Sequence, residues 1–471
     1  MTKKAENKES KAKELQKQLF MKKKNSGLIM SDAEIKAADK FNEGYKKYLD
    51  DAKTEREAVK ASVAILQKQG FTEYDKKKKY RAGDKVYQIN RGKALIIAVI
   101  GKESIEKGVN ILAAHIDSPR LDLKQNPLYE EAEMAYFKTH YYGGIKKYQW
   151  AAIPLSLHGV IIKNNGETVE VNIGEDEKDP VFVVTDLLPH LAQEQMKRPA
   201  NKIITGEELN ILIGSRPFKD DEASELVKLN IMNILFKKYG ITEEDFISAE
   251  LEVVPAFKAK DVGFDRSLVG AYGQDDRVCA YTALMATIDV KGTPSKTVVT
   301  VLTDKEETGS DGNTGLQSSY LEYFIYDLAE SYGKNGRAVL SASKCLSADV
   351  NAGFDPTFGD VLEKKNSAFV GKGTVLTKFT GAGGKSGTSD SSAEFVGYVR
   401  KMFDENKIIW QTGELGKVDL GGGGTVAKYI ANLDVDTIDL GVPVLSMHAP
   451  FEITSKNDVY MTYKAFAAFI K

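Results

Sequence analysis

Short apolar runs bounded by polar residues recur along the chain and alternate with stretches whose apolar residues return at helical spacing. The segments 93–100 (KALIIAVI), 110–117 (NILAAHID), 297–302, 345–350 (CLSADV) and 437–447 read as buried strands. The first two are joined by a polar connection and are expected to be neighbours in a core sheet. Ser31, with Glu34 three residues on, is an N-cap candidate for a helix reaching about Ala52, and a second helix through Lys68 is stopped by Gly70. Further helices are expected over 278–289, 320–332, 390–405 and 460–471.

Between about 125 and 250 the texture becomes β-rich. Segments 155–163 and 167–173 flank Asn164-Asn165-Gly166 as a hairpin, 181–184 is another short strand, and 221–239 suits an amphipathic helix stopped by Gly240. The expected organisation is one domain from 1–124 plus 251–471, with 125–250 inserted. Its fold class is α/β, a mixed and partly parallel sheet sandwiched by helices, with a separate β-rich insertion.

Composition narrows the function classes. The 471 residues are 42% hydrophobic, enough for a substantial core. Basic and acidic residues, 65 against 67, nearly cancel, which argues against nucleic-acid or anionic-membrane partners. Cys279 and Cys345 lie in apolar-rich segments and are expected to be buried thiols in a reducing compartment, with cytoplasm the default. The charged N-terminal stretch, expected as a solvated helix or arm, lacks a signal peptide's apolar centre, and no run approaches the roughly 18 apolar residues of a membrane span.

In partly parallel sheets, sites collect at the carboxyl ends of strands. His115 and Asp117 end one apolar run, Asp304, Glu306 and Glu307 follow another, Asp349 and His448 close two more, and Asp275 and Asp276 precede the helix at 278–289. Each segment alone reads more readily as a solvated acidic turn, a helix cap or a hydrogen-bonded pair. Their coincidence carries the argument, because packed carboxylates resist ionising together and need solvent or a cation. His115, Asp275, Glu307, Asp349 and His448 form a nitrogen and oxygen donor set without thiolate, suited to Zn²⁺ or a similar ion in a catalytic site. One carboxylate must bridge if five ligands are to serve two ions. Asp117, two residues from His115, can orient its ring, and Glu306, next to Glu307, stays free to accept a proton from water. His190, in LLPHLA within the insertion, reads on its own as a surface or interface histidine.

HIDSPR (115–120), QDDR (274–277), DKEETGS (304–310), SADVNAG (347–353) and LSMHAPFE (445–452) follow the order found in dizinc aminopeptidases. Across nearly its whole length the chain resembles the aspartyl aminopeptidase and vacuolar aminopeptidase I family, and YYGGI (141–145) and LLPHLA (187–192) look like family signatures of the insertion. The resemblance implies two Zn²⁺ per subunit, with Mn²⁺ or Co²⁺ as substitutes. Asp275 would bridge, His115 and Asp349 would complete one site, and Glu307 and His448 the other. Asp117 would orient His115, and Glu306 would be the general base. It also implies removal of N-terminal residues, often acidic, from peptides by a homodimer that builds a tetrahedral dodecamer, with the insertion as dimerisation domain and His190 reaching the partner's active site. The loop 380–390 (TGAGGKSGTSD) departs from the family pattern, leaving Lys378 and Lys385 as either cations for an acidic side chain or solvated lysines. Two other readings remain: a dizinc amidase or deacylase acting on non-peptide amides, and a non-catalytic metal-binding assembly protein. Retention of Glu306 favours an enzyme.

Overall fold

A computed structural model describes residues 10–220 and 222–471. Four strands at the centre of a nine-stranded sheet, Val298–Thr303, Asn110–His115, Lys344–Ser347 and Asp436–Gly441, run parallel, so their carboxyl ends share one edge. Every residue of Ala94–Val99, Asn110–His115 and Val298–Thr303 is buried, as both-face coverage requires. Alternate side chains serve the two faces. Leu95, Ile97, Leu112 and Leu302 pack with the helices Asp32–Asp51, Glu55–Lys68, Gln274–Ile288, Ala393–Glu405 and Lys456–Phe469. Ile96, Ile111 and Val301 pack with Tyr320–Ser331, Gly336–Ser341 and Ala427–Ala431 on the other side. The result is the α/β sandwich expected from the alternation of runs and helices.

Two expectations about strand placement are corrected. Ala94–Val99 and Asn110–His115 are not neighbours, because Val298–Thr303 lies between them, antiparallel to the first and parallel to the second. The run 437–447 is also two strands. Asp436–Gly441 belongs to the main sheet, and Pro443–Leu445 to a five-stranded sheet with Lys260–Val262, Leu268–Ala271, Glu452–Ser455 and Asn351–Ala352. That smaller sheet pairs Ala271 with Glu452, bringing the segment before Asp275 against the one after His448.

A third sheet of seven strands is antiparallel at every pairing and is built wholly from Arg120–Glu131 through Ala249–Pro255. These two strands carry the chain across positions 124 and 250. The hairpin Leu155–Ile162 with Thr168–Ile173 forms as expected, and a separate core gathers around Trp150, Leu155 and Phe246. Of the helix expected over 221–239, Leu226–Tyr239 is present, and Asp221 lies outside the described residues. Of the charged N-terminal stretch, Lys11–Leu19 is a helix with no buried residue, and 1–9 lie outside the described residues. Cys279 and Cys345 are buried free thiols. Among the described residues no helix is long and apolar enough to cross a membrane.

Candidate metal centre

His115 ends its strand, and the loops after Thr303 and Ser347 carry Glu306, Glu307 and Asp349 past the same sheet edge. Asp275 and Asp276, joined by a cis peptide bond, have non-helical dihedrals at the start of Gln274–Ile288 and turn inward before regular helix begins. Gly273, at φ 70°, permits that entry, since a Cβ there would fall 1.7 Å from Arg277 Nη1. His448 sits in the left-handed region at φ 64°. Such a backbone persists where its surroundings fix it. Here the buried Glu452 does so, accepting the His448 N–H at 2.7 Å with one oxygen and the Asp275 N–H at 3.0 Å with the other.

The Asp275 carboxylate lies between the two imidazoles. His115 Nε2 is 3.2 Å from Oδ1 and His448 Nε2 is 3.1 Å from Oδ2. Glu307 Oε2 is 3.5 Å from His448 Nε2, while Glu306 Oε2 and Asp349 Oδ1 each lie 3.9 Å from His115 Nε2. Two groups have ligand atoms within 4.8 Å of one another, His115–Asp275–Glu307 and His115–Asp276–Asp349. Asp117 lies just past the strand end, yet its Oδ1 is 3.3 Å from His115 Nδ1. The carboxylate is held by the backbone N–H groups of Glu306 and Glu307, at 3.1 and 3.2 Å, and by the Tyr142 hydroxyl at 2.8 Å.

This cluster is short of positive charge. Burial, reinforced by neighbouring carboxylates, lifts Glu307, Asp349 and Asp276 well above the usual range and Glu306 to about 7. Burial also opposes ionisation of Asp275, but hydrogen bonds from His115 and His448 hold it below its ordinary value. Both imidazoles are desolvated too, and their acidic partners nevertheless raise His115 well above its ordinary value and His448 to about 10. Glu307 Oε1 and both Asp276 oxygens are buried without a hydrogen-bond partner among the described residues. Orphaned acceptors, repelling carboxylates and a donor set of imidazole and carboxylate fit a zinc centre.

The structure therefore brings together His115, Asp117, Asp275, Glu306, Glu307, Asp349 and His448. It does not bring His190 to them within one subunit. That side chain is exposed and makes no hydrogen bond or ion pair among the described residues. Lys378 and Lys385 both pair with Asp390, the latter at 2.8 Å. Asp276, Tyr142 and Glu452 lie in QDDR, YYGGI and HAPFE without having been given a part in the site. Tyr142 acts on Asp117 and Glu452 on both Asp275 and its own motif's His448, so adjacency within a motif was the only available signal.

A buried imidazole and carboxylate cluster on the carboxyl edge of a mixed α/β sheet defines the class, a metal-dependent hydrolase. The family described as aminopeptidase I zinc metalloprotease (M18) matches residues 48–470. A protein of Clostridium acetobutylicum named as a probable M18 family aminopeptidase 1 is 50% identical over 455 residues, 95% of this chain and 98% of that one. The crystal structure of an M18 family aminopeptidase from Thermotoga maritima superposes with a TM-score of 0.91 at 44% identity, covering 96% of this chain and 100% of that chain. The S. cerevisiae mApe1 dodecamer structure shares the fold, with a TM-score of 0.74 at 22% identity and coverage of 93% and 97%. The chain belongs to the M18 family and is a zinc metallo-aminopeptidase.

Proposed function

We propose that the chain removes N-terminal residues from peptides with two zinc ions per subunit, His115 and Asp349 holding one, Glu307 and His448 the other, and Asp275 shared between them. The observation that carries this reading is the approach of the two imidazoles to opposite oxygens of Asp275, at 3.2 and 3.1 Å. Zinc held there would supply Lewis acidity for activating water and for polarising the scissile carbonyl. Glu306, with burial lifting its carboxyl to about 7, accepts the proton of the attacking water and returns it to the leaving amine. Asp117 orients His115 while fixing the backbone of Glu306 and Glu307.

The insertion serves dimerisation. Its helix Leu226–Tyr239 leaves Leu229 and Phe236 41% and 57% exposed on one side and Ile234 50% exposed on another, apolar surface available to a second copy. His190 from the partner subunit then donates to the substrate carbonyl oxygen, where a preorganised donor stabilises developing charge. Assembly of dimers into a dodecamer rests on likeness to the yeast mApe1 structure. Buried free thiols at Cys279 and Cys345 support a cytoplasmic location.

A strict acidic preference would need a free cation facing the first side chain. Since Asp390 engages both Lys378 and Lys385, a preference that includes neutral residues is better supported. Turnover of a panel of aminoacyl p-nitroanilides bearing Asp, Glu, Ala or Leu, each with a free or acetylated amine, tests the reading. Cleavage confined to free amines is expected. Equal cleavage of the acetylated series would favour an amidase or deacylase instead.

A further inference from the structure

The strand Met134–Tyr142 of the seven-stranded sheet runs into the turn Tyr142-Gly143-Gly144, and that turn contacts both sides of the metal centre. On one side the Tyr142 hydroxyl donates to Asp117 Oδ2 at 2.8 Å. The same carboxylate accepts the backbone N–H groups of Glu306 and Glu307 and stands 3.3 Å from His115 Nδ1, which also lies 3.1 Å from the Asp117 main-chain carbonyl, so Asp117 engages that ring nitrogen through both groups. On the other side, the Gly144 carbonyl lies 2.9 Å from His448 Nδ1. Nδ1–H therefore donates outward, and Nε2 is left facing Asp275 and Glu307.

The approach is tight, and at Gly143 the backbone conformation itself disfavours a side chain. Gly143 has φ 74°, and a Cβ on it would meet Glu307 Cβ at 3.3 Å and Pro119 Cα at 3.4 Å. A Cβ on Gly144 would lie 3.3 Å from His448 Nδ1. The Tyr142 ring is fixed from behind by the Arg120 guanidinium, 4.0 Å from its centroid. Arg120 is itself anchored by Glu55 and Glu252 at 3.3 Å each and by Asp122 at 2.8 Å.

We infer that the Tyr142–Gly144 turn is a positioning element for zinc, through which the antiparallel sheet orients His115 by way of Asp117 and His448 directly. None of the three residues touches substrate in this role. The inference rests on the zinc reading above. Groups that orient metal ligands commonly change affinity by about 10–100-fold when removed.

The test uses the full chain, depleted of metal and titrated with zinc against a chromogenic chelator, comparing wild type with Tyr142→Phe and Gly144→Ala. Tyr142→Phe keeps the ring on Arg120 and removes only the hydroxyl. Its zinc affinity is expected to fall roughly tenfold or more, with kcat reduced at saturating zinc, KM unchanged and the metal-free melting temperature as in wild type. Gly144→Ala is expected to weaken zinc binding by the separate route through His448. Zinc affinity equal to wild type in both variants would overturn the inference, as would a lowered metal-free melting temperature with zinc affinity unchanged. A wild-type chain that takes up no zinc would instead remove the metal reading on which the inference stands.

Discussion

The buried carboxylate of Glu452 accepts the backbone N–H of Asp275 at 3.0 Å, tying Asp275 to a residue 177 positions away. Its second oxygen holds the His448 N–H at 2.7 Å. Glu452→Gln keeps one acceptor and turns an NH₂ toward the other amide. An unsatisfied buried N–H costs about 1–3 kcal/mol, so the variant is expected to show a lower denaturant midpoint and weaker zinc binding. Chemical unfolding with and without zinc measures both effects.

Glu306 and Glu307 are adjacent yet have different parts in this account. Glu306→Gln is expected to retain zinc and lose turnover by about 10²–10⁴-fold, the usual contribution of general base catalysis. Glu307→Gln should lose zinc together with activity. Metal analysis of the purified variants separates them, and identical zinc contents would contradict the assignment.

The local acid motifs were legible because His115 ends a short, mostly apolar run and Glu306, Glu307 and Asp349 follow two others, and such runs bounded by polar residues read as buried strands with their ends at a sheet edge. Strand order was not legible in this way. Nothing in 93–117 announces that Val298–Thr303 will insert between its two strands, since that pairing is set by a contact about 200 residues distant. The division of 437–447 was hidden because both halves are apolar and only their partners differ. Tyr142 and Glu452 left no periodic trace either, because each acts through individual hydrogen bonds, Tyr142 to Asp117, and Glu452 to the nearby His448 N–H and the remote Asp275 N–H.

Acid stability has a separate origin in the antiparallel sheet. Burial opposes ionisation of Glu175, but His158, Lys53 and Lys258 draw its carboxyl down to about 2. A depressed carboxyl stabilises the fold above the ordinary glutamate value of 4.5, and that contribution is lost as pH falls through about 2. His158, raised from 6.5 by Glu175 and Glu57 against burial, contributes below 6.5 and loses its share as pH climbs through its folded value. Both contributions therefore coexist between 4.5 and 6.5. Melting temperatures of wild type should fall more steeply than those of Glu175→Gln from about pH 5 to about pH 3, and parallel curves would count against the cluster.

His190 is exposed, with no hydrogen bond or ion pair among the described residues, and its proposed role across the dimer interface is open to a complementation test. Inactive Glu306→Gln and inactive His190→Ala subunits, mixed under exchange conditions, should regain activity, because each mixed dimer restores one complete site. No recovery despite demonstrated exchange would confine His190 to its own subunit or remove it from catalysis.

In the proposed mechanism catalysis depends on two zinc ions sharing Asp275. The most direct measurement is a zinc titration of chelator-stripped enzyme, with bound metal and peptide turnover followed together, on wild type and Asp275→Asn. Expected are no turnover without metal, full wild-type activity at two equivalents of zinc, and loss of both equivalents in the variant. Full turnover by wild type after verified metal removal would contradict it.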